Sequence, residues 1–149
     1  MPGFSKVDKT PRYSYLKHTA DAKFQAFGNS LEEAFVNAAL ATAALMWDWV
    51  YVKPRKKHPV KVIGRDFEQL LFSFLEEILF LLDSRTFLLH AVQDVVIKKD
   101  GEQYVLKAFF LGDDSVDDYE VYGDVKAITY NEMKVEINDH YLVQVVVDM

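Results

Sequence analysis

Two aspartates lie where a carboxylate is costly to bury. Asp21 stands at the start of an apolar strand pattern, and Asp148 follows the three valines at 145–147. A charge at such a strand end needs water or a partner. The simpler interpretation is two strand-end aspartates in water. The alternative is a cation site: if the last strand neighbours the first, the α-carboxylate of Met149 joins both side chains. Three oxygen ligands without nitrogen or sulfur favour Ca²⁺ or Mg²⁺ over zinc.

Three further charged residues are candidates for a role beside such a site. Lys126 precedes an apolar strand pattern and would neutralise nearby carboxylates, although an exposed strand-end lysine is the simpler interpretation. Glu76 and Glu77 interrupt the most apolar helix pattern of the chain. Adjacent helical residues point about 100° apart, so we expect one glutamate to face solvent and the other to be partly buried.

The elements that position these residues begin with a strand, a turn and a helix. Residues 21–27 alternate between two faces, and Gly28 with Asn29 breaks the pattern. Ser30 and Glu33 have the spacing of a capping box, which predicts a helix from residue 31 to about 46. A second helix is predicted from an Asp66 N-cap to about residue 83. It is apolar on most of its circumference, so we expect it to be central.

The remaining chain has the pattern of strands. Short alternating or apolar runs are found at 59–63, 88–97, 103–111, 125–130, 133–137 and 141–147. The last run is nearly all apolar, which predicts a position inside a sheet. The predicted fold class is α+β, a single two-layer domain with two helices packed on one face of a largely antiparallel sheet. Residues 1–12 are predicted to be a flexible N-terminal arm before a domain at 13–149.

Composition narrows the class of protein. The chain has 149 residues and no cysteine, which excludes disulfides, thiolate metal sites and a cysteine nucleophile and favours a cytoplasmic protein. No apolar run predicts a membrane span. The net charge of −6 argues against strong direct nucleic-acid binding. The basic cluster between residues 53 and 61 is interpreted as a solvated connecting loop.

Other motifs do not support catalysis. The acidic segment 113–118 resembles a calcium loop at first, but Asp118 stands where that loop needs glycine and Asp124 where it needs glutamate. We therefore predict a solvated loop. The six glycines form no phosphate-binding loop, and the four histidines lack zinc-ligand spacing.

Four segments taken together resemble the archease family. They are His-Thr-Ala-Asp at 18–21 with its continuation through 28–35, Leu-Glu-Glu-Ile-Leu-Phe at 75–80, Val-Lys-Ala-Ile-Thr-Tyr at 125–130 and Val-Val-Val-Asp-Met at 145–149. The resemblance covers residues 13–149. It implies a non-catalytic protein cofactor of the GTP-dependent tRNA-splicing RNA ligase, which promotes ligase guanylylation and multiple turnover. A chaperone or modulator of RNA-processing enzymes, with a structural metal ion, is the alternative.

The resemblance also assigns residues. Asp21, Asp148 and Met149 would hold a divalent ion, with Ca²⁺ expected and Mg²⁺ or Mn²⁺ as alternatives. Candidates for activating the partner are Lys126, Glu76 and His18. The chain departs from the family pattern at 130–133, where Tyr-Asn-Glu-Met replaces the expected Tyr-His-Glu-Met. An asparagine cannot titrate near neutrality, so no catalytic role is assigned to that residue.

Overall fold

The structure is a computed structural model in which residues 11–17 and 21–149 are described. These residues form seven strands and two helices. In chain order they are β1 (Tyr13–Leu16), β2 (Ala22–Gly28), α1 (Leu31–Ala44), β3 (Lys56–Gly64), α2 (Phe67–Arg85), β4 (Leu88–Asp100), β5 (Gln103–Asp113), β6 (Ala127–Ile137) and β7 (Tyr141–Asp148). The candidate His18, and residues 1–10 of the predicted arm, lie outside the described residues.

The strands pair antiparallel in two sheets. One sheet has the order β1-β2-β7-β6 and the other the order β3-β5-β4. Helix α1 packs on β2, β7 and β4, and α2 packs on β3, β6 and β5, so each helix contacts both sheets. The predicted α+β class with antiparallel pairing is confirmed. The strands were predicted to form one sheet, and in the structure they form two. Within the described ranges, neither helix has the length and apolarity needed to cross a membrane.

The strand–turn–helix prediction for β2 and α1 is confirmed. Phe24 and Ala26 are fully buried on one face of β2. The turn at Gly28 is so tight that a Cβ atom there would lie 2.5 Å from the backbone nitrogen of Ala34. Ser30 caps the helix, because its Oγ accepts a hydrogen bond from the Glu33 N–H at 3.1 Å. A glycine is therefore required where the strand meets the helix.

The same arrangement recurs between β3 and α2. The Asp66 carboxylate caps α2 by accepting from the Gln69 N–H at 2.7 Å, as predicted. Strand β3 starts at Lys56, earlier than predicted, so part of the basic segment interpreted as a loop is a strand. Pro59 obscured only the first part of this strand, residues 56–58; β3 is an edge strand, where a missing N–H is tolerated.

The two strand–helix pairs are parts of two similar units. In the inner unit, β3 and α2 are followed by the β4–β5 hairpin, and β3 pairs with β5. In the outer unit, β2 and α1 are completed by the β6–β7 hairpin, and β2 pairs with β7. The inner unit is contained within the sequence of the outer one. Strand β7 lies between β2 and β6, which confirms that the apolar last strand is inside its sheet.

The acidic segment after β5 is not simply a solvated loop. Asp114, Asp117 and Asp118 are exposed as predicted, but the prediction is wrong for Asp113, of which only 1% is exposed. The Tyr119 hydroxyl donates to Asp113 Oδ2 at 2.7 Å.

Two further groups donate hydrogen bonds to the Asp113 carboxylate. Arg55 Nη1 donates to Oδ2 at 3.3 Å, and the Ser115 N–H donates to Oδ1 at 3.3 Å. The Tyr119 hydrogen bond lowers the pKa of Asp113 and outweighs burial, which acts in the opposite direction, and the Ser115 amide and the Arg55 charge contribute further. Asp113 is therefore a buried, negatively charged side chain whose hydrogen bonds hold this loop in place.

Candidate functional site

The ends of β2 and β7 bring the two predicted aspartates together. Ala22 pairs with Val147 in the antiparallel register. Continuing that register by one residue places Asp21 opposite Asp148. The prediction that the first core strand and the last strand are neighbours is therefore confirmed. Asp21 is half-buried and Asp148 is exposed.

Lys126 joins this end of the sheet from the other side of β7. Its N–H donates to the Asp148 carbonyl oxygen at 2.8 Å, and the next residue, Ala127, pairs with Asp148. Met149 follows directly and packs half-buried against the hydrophobic core. Residues from three neighbouring strands thus converge here: Asp21 before β2, Asp148 and Met149 at the end of β7, and Lys126 before β6.

A groove of about 500 Å³ lies between this sheet end and α2. Its lining residues are Val62, Ser73, Glu76, Glu77, Leu79, Phe80, Lys126 and Ala127. The structure therefore brings the candidates Lys126 and Glu76 to one groove, although fifty positions of sequence separate them. Within the part of the chain that the structure describes, the Lys126 side chain forms no ion pair. It is available to a ligand.

The two adjacent glutamates differ as predicted. Glu76 is exposed and Glu77 is half-buried. Burial, together with the negative charge of Glu76, raises the pKa of Glu77. The groove therefore carries one exposed carboxylate, Glu76, and a second, Glu77, whose negative charge is disfavoured.

Phe80 is a groove residue that sequence reasoning missed. It is 59% exposed, although it belongs to the most apolar helix. Its spacing from Ser73, Glu76 and Glu77 is three, four or seven residues, so these side chains share one helix face. That spacing was the available signal, because it places Phe80 on the same helix face as a serine and two glutamates.

Asn131, the departure from the family pattern, lies on the surface of β6. It belongs to the irregular stretch between Thr129 and Lys134, where the register with β7 shifts. Its N–H donates to Thr129 Oγ1 at 3.3 Å, and its neighbour Glu132 adopts a φ of 53°. The groove-lining residues do not include it.

The donor set at the sheet end fits a hard cation. Among residues 11–17 and 21–149, no three His, Cys, Asp or Glu side chains lie close enough to hold a metal ion. Two aspartates at paired strand ends supply carboxylate oxygens only, and main-chain oxygens of Met149 lie beside them in sequence. Ca²⁺ accepts such mixed oxygen ligands and completes its shell with water. The residues present therefore suit Ca²⁺ or Mg²⁺ and do not suit zinc.

Comparison with known proteins gives one consistent result. The model of the Archease protein family matches residues 13–149. A protein named archease from Pyrobaculum neutrophilum is 40% identical over 146 residues, which cover 95% of this chain and 97% of that protein. One from Danio rerio is 33% identical over 141 residues, with 94% and 86% covered.

Solved structures agree with the fold. The solution structure of a Methanobacterium thermoautotrophicum protein matches with a TM-score of 0.79 at 29% identity, covering 93% of this chain and 99% of that one. A crystal structure from Thermotoga maritima, described as an archease and possible chaperone, has a TM-score of 0.58 and covers 90% and 94% of the two chains. At 20% identity the second likeness concerns the fold alone.

Proposed function

Because the chain belongs to the archease family, we propose that it is a non-catalytic protein cofactor of the GTP-dependent tRNA-splicing RNA ligase. In this role it promotes guanylylation of the ligase histidine and sustains multiple turnover. One observation carries the proposal: Lys126 and Glu76 share a groove that adjoins the paired ends of β2 and β7, where Asp21 and Asp148 meet.

Asp21, Asp148 and main-chain oxygens of Met149 would hold the divalent ion, with Ca²⁺ expected and Mg²⁺ or Mn²⁺ as alternatives. When bound, such an ion supplies positive charge that polarises a phosphoryl oxygen. The register that pairs Ala22 with Val147 brings both carboxylates to one edge before any ion arrives. Two negative charges at one edge of the sheet would attract a divalent cation.

Lys126 and Glu76 would contact the ligase. An exposed lysine is a mobile point charge suited to phosphate oxygens, such as those of a guanylyl group in transfer. Glu76 is exposed on the opposite wall of the groove and would accept hydrogen bonds from a cationic ligase side chain. The net charge of −6 favours approach to a ligase site rich in metal ions and basic groups.

Ligation by the cognate ligase tests the proposal. Asp148→Asn removes one proposed ligand, and Asp139→Asn, at the opposite end of β7, makes the same change in charge. Both aspartates are exposed, so both variants should fold. We expect guanylylation and multiple turnover to fall about tenfold with Asp148→Asn, a loss of about 1.4 kcal/mol in barrier lowering. Asp139→Asn should match the wild type. If wild-type protein leaves guanylylation unchanged with Ca²⁺, Mg²⁺ and Mn²⁺ alike, the proposal is wrong.

A second candidate function is that of a chaperone for RNA-processing enzymes. The description of the Thermotoga maritima relative as a possible chaperone supports it, and so does the exposed Phe80 in the groove. This alternative predicts that Phe80→Ser abolishes protection of an RNA-processing enzyme against thermal aggregation, while Asp148→Asn protects fully. The activator proposal predicts that Asp148→Asn is the variant that loses activity.

A further inference from the structure

The outer face of the β3-β5-β4 sheet carries four lysines. Along β3, buried Val60 and Val62 alternate with exposed Lys57 and Lys61. Lys107 on β5 and Lys98 on β4 are also exposed and alternate outward. We call Lys57, Lys61, Lys98 and Lys107 the lysine face. Its positive charge contrasts with the net charge of −6, because the basic residues are unevenly distributed.

The position of Lys107 requires an explanation beyond solubility. Lysines on edge strands discourage pairing with other sheets, which accounts for those on β3 and β4. Strand β5 is central, so this reason does not apply to Lys107. The register places Lys107 directly opposite Lys61, and like charges in facing positions destabilise a sheet. Within the described residues, neither lysine forms an ion pair with a carboxylate.

The lysines surround an apolar floor. A groove of about 470 Å³ includes Lys61, Lys98 and Lys107 among its lining residues. Its floor includes Ile63, which is 48% exposed, and Val96, which is 42% exposed. Asp100 is the acidic residue among the lining side chains. A small anion would gain nothing from so much exposed apolar surface.

An aromatic ring extends the same face. The ammonium group of Lys57 lies 4.3 Å from the centre of the Phe109 ring. Phe109 is half-buried on the central strand, where it pairs with Pro59. A cationic face with apolar and aromatic surface between the charges is the combination that proteins use for single-stranded nucleic acids, whose bases are free to cover such surface. The bases of a duplex are stacked and paired, so a duplex would leave the floor uncovered.

We propose that the lysine face binds the phosphate backbone of single-stranded RNA, with bases lying over Ile63, Val96 and Phe109. The facing Lys61 and Lys107, together with the apolar floor of the groove, indicate a single-stranded nucleic acid. The choice of RNA over DNA rests on the proposed function. The face lies on the outer side of the β3-β5-β4 sheet, whereas the Lys126 groove lies between α2 and the start of β6. The protein would therefore hold an RNA segment while its other surface serves the ligase. The acidic net charge makes this contact weak and sensitive to salt.

Fluorescence anisotropy with a labelled oligouridine of about 16 nucleotides tests the proposal without ligase. The variant Lys61→Gln/Lys107→Gln removes the facing pair. The matched control Lys17→Gln/Lys134→Gln removes two exposed lysines elsewhere. At low salt we expect the first variant to bind at least about tenfold more weakly. Its slope of log affinity against log salt should be shallower by about 1.4, the value for two lost phosphate contacts on a single strand. The control should bind within about twofold of wild type.

Three results would overturn the proposal. They are absence of RNA binding by wild type at low salt, equal losses in both double variants, and equal affinity for polyglutamate of the same charge, which would reassign the face to an acidic protein. Loss of fold is excluded by thermal denaturation, where relief of repulsion should leave Lys61→Gln/Lys107→Gln at least as stable as wild type. Guanylylation of the ligase in the absence of RNA tests the proposed function separately from RNA binding. The variant Lys61→Gln/Lys107→Gln should promote guanylylation as well as the wild type does, so a failure of the RNA-binding proposal leaves the proposed function standing.

Discussion

Asp113 and Asp148 occupy equivalent positions in the two units of this molecule. Each is the last residue of the strand that pairs with the strand before a helix, β5 in the inner unit and β7 in the outer. The Asp113 carboxylate is buried and receives three hydrogen bonds. Within the described residues, the Asp148 side chain receives none. The inner aspartate is thus a buried structural contact, and the outer one is an exposed carboxylate.

The residue across each strand pair explains the difference. Continuing the β3–β5 register places Arg55 opposite Asp113, and continuing the β2–β7 register places Asp21 opposite Asp148. Opposite charges satisfy the carboxylate within the chain. A facing carboxylate offers no such partner, so Asp148 is left to water or to a cation. The same fold thus yields structural support or a candidate metal site, according to one facing residue.

The largest effect is expected at the inner position. Asp113→Ala should lower the free energy of unfolding by about 3 kcal/mol, because it leaves Tyr119 and Arg55 without their shared acceptor. Urea denaturation measures the change. Asp114→Ala, next in sequence and exposed, should change stability by less than about 0.5 kcal/mol. Comparable losses in both variants would mean that the hydrogen bonds to Asp113 contribute little.

Replacing Asp21 by arginine would give Asp148 the kind of facing residue that Asp113 has in Arg55. Ca²⁺ at 100 times its dissociation constant should stabilise the wild type by about 2.7 kcal/mol. Asp21→Arg should abolish this gain, because the new guanidinium would occupy the partner role opposite Asp148, as Arg55 does opposite Asp113. Thermal unfolding with and without Ca²⁺ measures it, with Asp139→Asn as the control that keeps the full gain. Undiminished stabilisation of Asp21→Arg by Ca²⁺ would remove Asp21 from the site.

Acid should weaken the contribution of Asp113 to stability. The pKa of Asp113 is lower in the folded state than in the unfolded state, so its contribution to stability is present above about pH 4 and is lost as the pH falls through the folded value. The stability difference between wild type and Asp113→Asn should therefore shrink as the pH falls from about 5 through the lowered pKa of the folded state. A difference that stays constant with pH would show that the negative charge is not what stabilises the loop.

The smallest effect is expected in the groove. Burial and Glu76 raise the pKa of Glu77, so its ionised form is disfavoured in the folded state. Glu77→Gln should raise stability at neutral pH by less than about 0.5 kcal/mol. This advantage should vanish as the pH falls through the raised pKa and the wild-type side chain takes up a proton. Glu76→Gln is the matched control. A loss of stability in Glu77→Gln would indicate an ionic partner for Glu77.

Local signals in the sequence predicted most elements. The Ser30 and Asp66 caps fixed where both helices begin, and alternation around Phe24 identified the buried face of β2. The division into two sheets was not predictable in this way, because alternation reports which residues are buried and is silent on which strand pairs with which. The apolar last strand was the exception, since its composition required neighbours on both sides.

The site was predictable in part for a similar reason. The sequence pattern marked Asp21 and Asp148 as charges at the ends of apolar strands, and the family resemblance then led to the prediction that the two strands are neighbours. The burial of Asp113 was not predictable, because Arg55 is 58 residues away in sequence and nothing in the local pattern shows that Tyr119 turns back onto this carboxylate. In the groove, Glu76 was identified but Phe80 was not, since a phenylalanine in an apolar helix is ordinarily assigned to the core.

The containment of one unit within the other has a consequence for the order of folding. The inner unit closes between nearby residues, since β3, α2, β4 and β5 follow one another. The β2–β7 pair joins the two ends of the described chain and bears a larger loop-closure entropy. We expect its amides to gain protection last in pulse-labelled hydrogen exchange during refolding. Asp21 and Asp148 would then come together only in molecules whose remaining structure is complete, so the candidate cation site would be the last part of the fold to form.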